Sequence, residues 1–340
     1  MTAPRRRRSA LPWPDSRTAL PAGASDTPAE YRSGSEPDPT PQRARRRGPV
    51  LAALVTARPR QWIKNALLIA AAGAAGALGR DDVPGRVALA CLAFCLISAG
   101  IYALNDCRDA AEDRRHPRKR FRPVAAGELE ARDAIVLGTG WLLAGLTLCV
   151  SIRPLLGLVG AGYVTLTLGY TLVLRHVVLL DIAAVAGGFV LRALAGGVAA
   201  PVTLSRWFVL VVTFAAVYVA AGKRQAELMR TTRSPGSGRP GLRPTLKRYT
   251  PGGLRLLLAG SGACALFAYS VWAFELPDMD GVPWRLLTVI PFVVCLLRYG
   301  ALVRTGAGEA PEEALLSDRW LAIGGVMWLL LFALSVHASS

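Results

Sequence analysis

Long apolar runs, broken by short charged segments, dominate the chain from residue 62 onward. Several windows of about 18 to 22 residues are nearly free of charge, the length a helix needs to cross a hydrocarbon core. The pattern predicts nine membrane-spanning helices, at 62–79, 86–105, 132–152, 155–174, 178–199, 205–222, 252–274, 283–303 and 319–338. Gly and Ala are abundant within them, as close helix–helix packing in lipid requires. The fold class expected is therefore all-α and integral to the membrane, a nine-helix bundle with a polar cavity facing the cytoplasm. Residues 1–50 are rich in Arg, Pro and Ser and have no apolar periodicity. They read as a disordered basic tail ahead of a transmembrane domain over 51–340. No apolar stretch follows Arg5 to Arg8, which excludes a secretory or twin-arginine signal there.

Composition agrees: 52% of the 340 residues are apolar, too many for an ordinary soluble domain. The formal net charge is +17, and its distribution sets the expected orientation. With the amino terminus inside, the cytoplasmic segments hold the Arg-rich tail, the 106–131 loop, Arg175, the 223–251 loop and the 304–318 loop. Of the 40 Lys and Arg, only Arg80, Arg86, Arg153, Arg206 and Arg285 then fall outside. The acids Asp81, Asp82 and those from Glu275 to Asp280 accompany them. That is the positive-inside rule, and it places the chain in the plasma membrane with its carboxyl terminus outside. The charge thus reads as a topology signal and an attractor of phosphate at the inner surface. No nucleic-acid fold signature accompanies it, so nucleic acid is not an expected partner. The six cysteines have no metal-ligand spacing, and those within spans behave as small hydrophobes. His116, His176 and His337 are too scattered for a zinc site.

Candidate chemistry concentrates after the second span, in Asn105-Asp106-Cys107-Arg108-Asp109-Ala110-Ala111-Glu112-Asp113. On a helix Asp109 and Asp113 share a face, with Asn105 one turn earlier. Clustered carboxylates repel unless a cation lies between them. A hard divalent ion such as Mg²⁺, carrying substrate phosphates, is one partner. Salt bridges to Arg108 and Arg114 on a solvated helix end are the other reading. A basic run follows, with Lys119, Arg120 and Arg122. The sixth span ends in Gly222-Lys223-Arg224-Gln225-Ala226-Glu227. The two longest inner loops thus come after spans two and six, which suggests charged loops meeting over one cavity. Snorkelling of Lys223 and Arg224 to lipid headgroups is the alternative. At the entry to span one, Lys64 and Asn65 lie inside the apolar run, where an ammonium needs a lipid phosphate or must snorkel. Asp181 and Arg192, in or near span five, are costly unless paired or facing a polar cavity.

Asn105-Asp106-x-x-Asp109-x-x-x-Asp113 at the inner end of the second span resembles the first aspartate-rich motif of the UbiA superfamily of intramembrane prenyltransferases. The likeness covers about residues 55–338. In that family the motif binds a diphosphate through Mg²⁺, which implies Asp106, Asp109 and Asp113 as metal ligands and catalytic residues, with Mn²⁺ as a substitute ion. The family's second aspartate-rich motif, after the sixth span, is replaced here by Lys223, Arg224 and Glu227. That departure, with Arg58-Pro59-Arg60-Gln61-Trp62-x-Lys64-Asn65, His116-Pro117-x-Lys119-Arg120-Phe121-Arg122-Pro123 and Leu191-Arg192-Ala193-x-Ala195-Gly196-Gly197, resembles an actinobacterial branch of the superfamily. Its members join a phosphoribosyl group to decaprenyl phosphate, on the way to the lipid-linked arabinose donor of the cell wall.

The resemblance implies that phosphoribosyl pyrophosphate and a polyprenyl phosphate are the substrates. Lys119, Arg120 and Arg122 are then expected on the donor's phosphates. Lys64, Asn65, Lys223 and Arg224 are expected on the lipid phosphate, Asn105 as a ligand or orienting group, and Glu227 orienting Lys223 or touching a ribose hydroxyl. Two rivals remain: a prenyltransferase acting on an aromatic, quinone or haem precursor, and a non-enzymatic transporter or lipid-binding protein. Prenyl length and oligomeric state are not legible.

Overall fold

The computed structural model describes residues 47–117, 119–233, 246, 248–275, 283–309 and 311–337. Most of the basic tail expected over 1–50 lies outside the described residues, as do Arg118, Lys247 and the acids of 276–280. Among the described residues there is no strand. The helices are α1 (Pro49–Ala57), α2 (Ala66–Ala74), α3 (Val83–Asp113), α4 (Ala131–Ile152), α5 (Pro154–Leu172), α6 (Leu180–Ala199), α7 (Arg206–Arg233), α8 (Pro251–Glu275), α9 (Trp284–Leu287), α10 (Val289–Thr305), α11 (Pro311–Ser317) and α12 (Arg319–His337). A 3₁₀ segment, Pro59–Asn65, joins α1 to α2.

Seven of these helical stretches, α3 to α8 and the α9–α10 run, are long and apolar enough to cross a membrane. An eighth, α12, is apolar over Arg319–Ser335. The first expected span, 62–79, is not one helix: its start is wound as 3₁₀ and only Ala66–Ala74 is α-helical. Arg58 is the cause on the upstream side. It sits in left-handed conformation (φ 53, ψ 61) immediately before Pro59, and proline disfavours the α region for the residue before it.

The second expected span is instead longer than its apolar run. Helix α3 continues through the aspartate motif to Asp113, so Asp106, Asp109 and Asp113 stand on a rigid helix and not on a loop. Small residues let α4 close against it. A Cβ built on Gly100 would lie 2.5 Å from the Gly138 carbonyl oxygen, and one on Gly145 would lie 2.7 Å from the Ala93 carbonyl. Such close backbone approach is how helices gain dispersion contacts in lipid. The main core gathers Phe94, Ile97 and Ile101 of α3 with Leu156 and Tyr163 of α5 and Ala195 and Ala199 of α6.

Contacts between the helices place the carboxyl ends of α3, α5, α7 and α10 at one end of the bundle, with the amino ends of α4, α6 and α8. Polar contacts at that end agree with the arrangement. Arg108 of α3 donates to the Thr171 carbonyl of α5 at 3.1 Å. Tyr170 of α5 donates to Asp181 of α6 at 3.2 Å. The Leu179 amide, just before α6, donates to the Tyr249 hydroxyl, just before α8, at 3.1 Å.

Asp318 ties α12 to this end. Its Oδ1 accepts the amides of Trp320 and Leu321 at 3.1 Å each, an N-cap, and Arg298 Nη2 donates to its Oδ2 at 2.6 Å. The Arg298 guanidinium, above all, holds the Asp318 carboxyl down to about 2 from an ordinary value of 3.8. A carboxylate with a depressed pKa stabilises the fold above its unfolded value and loses that contribution as pH falls through the folded one. Protection of the amides in the first turn of α12, taken relative to their intrinsic exchange at each pH, is therefore expected to hold down to about pH 4 and to fall towards pH 2. In Asp318→Ala, which removes the capping oxygen, protection is expected to be low throughout. A flat, high protection profile in that variant would remove the cap from the account.

Candidate active site at the aspartate end

Asp106 and Asp113 are two turns apart on α3, and both side chains are buried, at 2% and 1% exposure. Burying two carboxylates is expensive unless cations meet them. Arg122 meets both. Its Nη1 lies 3.2 Å from Asp106 Oδ1 and 2.6 Å from Asp113 Oδ2. Arg58 Nη2 donates to the same Asp106 Oδ1 at 2.5 Å, and its guanidinium lies over the Tyr102 ring at 4.8 Å. Lys119 Nζ is 3.8 Å from Asp113 Oδ1. Three cations thus surround two acids, leaving the cluster positive. It is a setting for an anion, and phosphate is the anion that arginine forks fit best.

The connection after α3 places these cations. Lys119–Phe121 forms a turn of 3₁₀ helix, the Lys119 amide donates to His116 Nδ1 at 3.3 Å, and the Arg122 amide donates to the Lys119 carbonyl at 3.0 Å. This folds the chain back over the end of α3. Arg120 is exposed and stacks on Phe121 at 4.8 Å. Asp109 faces the same side but pairs with Arg108, at 3.5 Å. The structure therefore assembles two of the three expected carboxylates, with Asp109 one turn from each. Among the described residues no three His, Cys, Asp or Glu side chains form a metal-holding group. Asn105, half-buried, lies one position before Asp106.

The donor chemistry nonetheless fits a hard cation. Two buried carboxylates already converge on a single positive atom, Arg122 Nη1, and oxygen donors of this kind are what Mg²⁺ takes. Asp106 and Asp113 would hold such an ion, with Asp109 within a turn.

The second charged region is built differently from the expectation. Arg224, expected on a lipid phosphate, is 3% exposed and fully engaged within the protein. Its Nε and Nη2 donate to the two oxygens of Asp181 at 2.5 and 2.7 Å. Its Nη1 donates to both oxygens of Glu227 at 2.9 and 3.0 Å, and Nη2 reaches the Tyr170 hydroxyl at 3.3 Å. This corrects the roles given to Arg224 and to Glu227, which pairs with Arg224. It also explains Asp181, whose partner comes from α7 and is invisible to helical spacing. Lys223, half-buried beside this knot, keeps a position facing the same end.

Asn65 is corrected too. Buried at 2% exposure, it accepts from Arg192 Nε at 2.9 Å and donates to Cys95 Sγ at 3.2 Å. Arg192 also donates to the Gly188 carbonyl at 3.2 Å and to the Tyr163 hydroxyl at 2.5 Å, with its guanidinium 4.6 Å above the Tyr163 ring. Asn65 thus anchors the 3₁₀ segment to α6 and does not wait for a ligand. Lys64 donates to Gln61 at 2.5 Å. The α5 terminus links the two charged regions, since Thr171 receives Arg108 while Tyr170 touches Asp181 and Arg224. Sequence reasoning missed Arg58 and Tyr170. The Arg-Pro step marked the first, and nothing in periodicity marked the second.

The fold and this charged helix end define a helical, multi-pass membrane protein with a cluster of surplus positive charge around two buried acids at one end of its bundle. The UbiA prenyltransferase family matches residues 66–324, and the chain belongs to that family and is a transferase. It is 39% identical to a decaprenyl-phosphate phosphoribosyltransferase of Corynebacterium glutamicum over 286 residues, 82% of this chain and 85% of that one. It is 39% identical to the protein of the same name from Mycolicibacterium smegmatis, over 80% of this chain and 88% of that one. Among solved structures, a UbiA homologue from Archaeoglobus fulgidus bound to GPP and Mg²⁺ superposes with a TM-score of 0.59 at 16% identity, over 84% of this chain and 99% of that one. At that identity the likeness is one of fold.

Proposed function

We propose that this protein transfers the 5-phosphoribosyl group from phosphoribosyl pyrophosphate to a polyprenyl phosphate of the decaprenyl class, releasing pyrophosphate. The carrying observation is the pair of buried carboxylates, Asp106 and Asp113, meeting on one cation inside an excess of positive charge. The names of the relatives from Corynebacterium and Mycolicibacterium support the substrate pair. The Archaeoglobus homologue bound to GPP and Mg²⁺ supports a metal-bound diphosphate.

In this reading Asp106 and Asp113, with Asp109, hold a Mg²⁺ ion, for which Mn²⁺ substitutes. Bound there, it neutralises the leaving pyrophosphate. Lys119, Arg120 and Arg122 hold the donor's phosphates, and Lys64 and Lys223 attract the lipid phosphate. Two anions must be brought together against repulsion, and this surplus of cations does that. A lipid phosphate oxygen forms the new bond to C1 as the bond to the diphosphate breaks. No general base is required, since a phosphate monoester, with a second pKa near 6, is already an anion at neutral pH. The replacement of a second acidic motif by a segment that presents Lys223 fits an anionic acceptor. In-line displacement inverts C1, so an α-diphosphate yields a β-phosphodiester. The aspartate end lies in the cytoplasm, where the positive-inside rule puts its loops, and the product feeds the lipid-linked arabinose donor of cell-wall arabinan.

Membranes carrying the protein are expected to incorporate label from phosphoribosyl pyrophosphate into lipid when decaprenyl phosphate is added, and to lose that activity on chelation. Transfer from labelled prenyl diphosphate to an aromatic acceptor, with none from phosphoribosyl pyrophosphate, would overturn the assignment.

A further inference from the structure

Arg58 stands outside every role assigned so far, yet it occupies the centre of the site. It reaches the same Asp106 Oδ1 as Arg122, so one carboxylate oxygen accepts from two guanidinium groups. Arg122 is shared with Asp113, and with Lys119 also on Asp113 the cluster carries three cations for two carboxylates. The backbone at Arg58 is left-handed, φ 53 and ψ 61, a conformation non-glycine residues avoid and that concentrates at ligand clamps. Beyond Arg58 the chain runs through the 3₁₀ segment, anchored at its far end by Asn65 on Arg192. Trp62 Nε1, donating to the Ala57 carbonyl at 3.0 Å, braces the bend itself. The Arg58 side chain is 28% exposed, so its guanidinium has room to turn, whereas Asp106 at 2% does not.

We propose that Arg58 is a phosphate-binding residue of the donor site, parked on Asp106 until a metal-bound diphosphate arrives. Arg58 and Arg122 act as stand-in cations for the buried acids. When a divalent ion takes the carboxylates, both guanidinium groups are released at the place where diphosphate oxygens need them. The proposal rests on the metal–diphosphate reading of the aspartate end, and its test separates the two.

The measurement is Mn²⁺ binding to the full chain in nanodiscs, monitored by electron paramagnetic resonance, with and without inorganic pyrophosphate. Removing a competing cation from Asp106 strengthens binding of the bare ion, whereas losing a charge-assisted phosphate contact weakens binding of the ion with pyrophosphate. Arg58→Gln is therefore expected to bind Mn²⁺ alone severalfold more tightly than wild type. It is expected to bind Mn²⁺ with pyrophosphate about tenfold more weakly. Arg58→Lys keeps the charge but not the fork. It should match wild type with Mn²⁺ alone and lose affinity only when pyrophosphate is present. Loss of affinity in both conditions for Arg58→Gln, with Arg58→Lys like wild type in both, assigns Arg58 a purely structural charge and overturns the proposal. Wild-type affinity with pyrophosphate in both variants overturns it as well. If wild type itself fails to retain Mn²⁺ with pyrophosphate, the metal–diphosphate reading falls, and the role of Arg58 with it.

Discussion

Asp113→Asn is expected to cut phosphoribosyl transfer by at least about a hundredfold while the protein still inserts and packs. Asp113 is buried at the end of α3 and answers Arg122 at 2.6 Å and Lys119 at 3.8 Å. Asparagine preserves its shape and its acceptor oxygen but removes the charge. Arg122 is 27% exposed on its side chain, so losing one carboxylate does not strand it in a dry interior. The loss therefore belongs to the chemistry: a neutral amide binds a divalent ion poorly and no longer offsets the charge gathered around a leaving pyrophosphate. Asp106→Asn should behave alike, since the two acids converge on one cation. Asp109→Asn is the informative contrast. Asp109 pairs with Arg108 in this structure, so a loss as deep as that of Asp113 would require it to turn from Arg108 to the metal. Steady-state transfer measured across a Mg²⁺ titration separates a lost ligand from a lost fold. Unchanged turnover in Asp113→Asn would end the assignment of the aspartate end as the reacting site.

The second large effect is on stability. Asp181→Ala is expected to destabilise the bundle by about 3–5 kcal/mol, because it leaves a buried guanidinium without its principal partner. Asp181 is 0% exposed and Arg224 3%, and the pair joins α6 to α7 through two parallel hydrogen bonds. Glu227 remains to offset part of the charge from one turn along α7. Replacing both partners, as in Asp181→Leu with Arg224→Met, should recover part of the loss, since the fully buried charges are then gone and only Glu227, 16% exposed on its side chain, loses its cation. Thermal unfolding in a single detergent, single mutants against the double, measures this coupling directly. An Asp181→Ala protein as stable as wild type would mean that Arg224 finds another anion, and the snorkelling reading would return. If Asp181→Leu with Arg224→Met is stable and still active, Arg224 is a strut of the scaffold and not a lipid-phosphate contact.

These two clusters show how unevenly one pattern of residues discloses its uses. The aspartate motif was legible because helical spacing alone puts Asp106, Asp109 and Asp113 along one side of α3. The cost of a charge in lipid flagged Asp181 and Arg192 as requiring partners. It did not name them. Asp181 found Arg224, 43 residues away, and Arg192 found Asn65, 127 residues away. Such pairings depend on which helices lie side by side, and helix order in space is not written in periodicity. Lys and Arg at a helix end look alike whether they face a phosphate, a lipid headgroup or a buried acid. That is why Arg224 and Asn65 were expected on a ligand and are instead internal ties.

By itself, the amino-acid sequence determined that this chain is a membrane bundle, that its positive charge collects at one set of loops, and that its acids gather beside the end of one span. Hydrophobic length and charge placement are local quantities, and each acts residue by residue. Only the tertiary structure decided that Arg122 and Arg58 converge on Asp106, that the first span begins as a bent 3₁₀ segment, and that α5 connects the two charged regions. Those are relations between segments distant along the chain, set by close packing of small-residue faces and by the demand that a buried charge find an opposite charge or hydrogen-bonding partners.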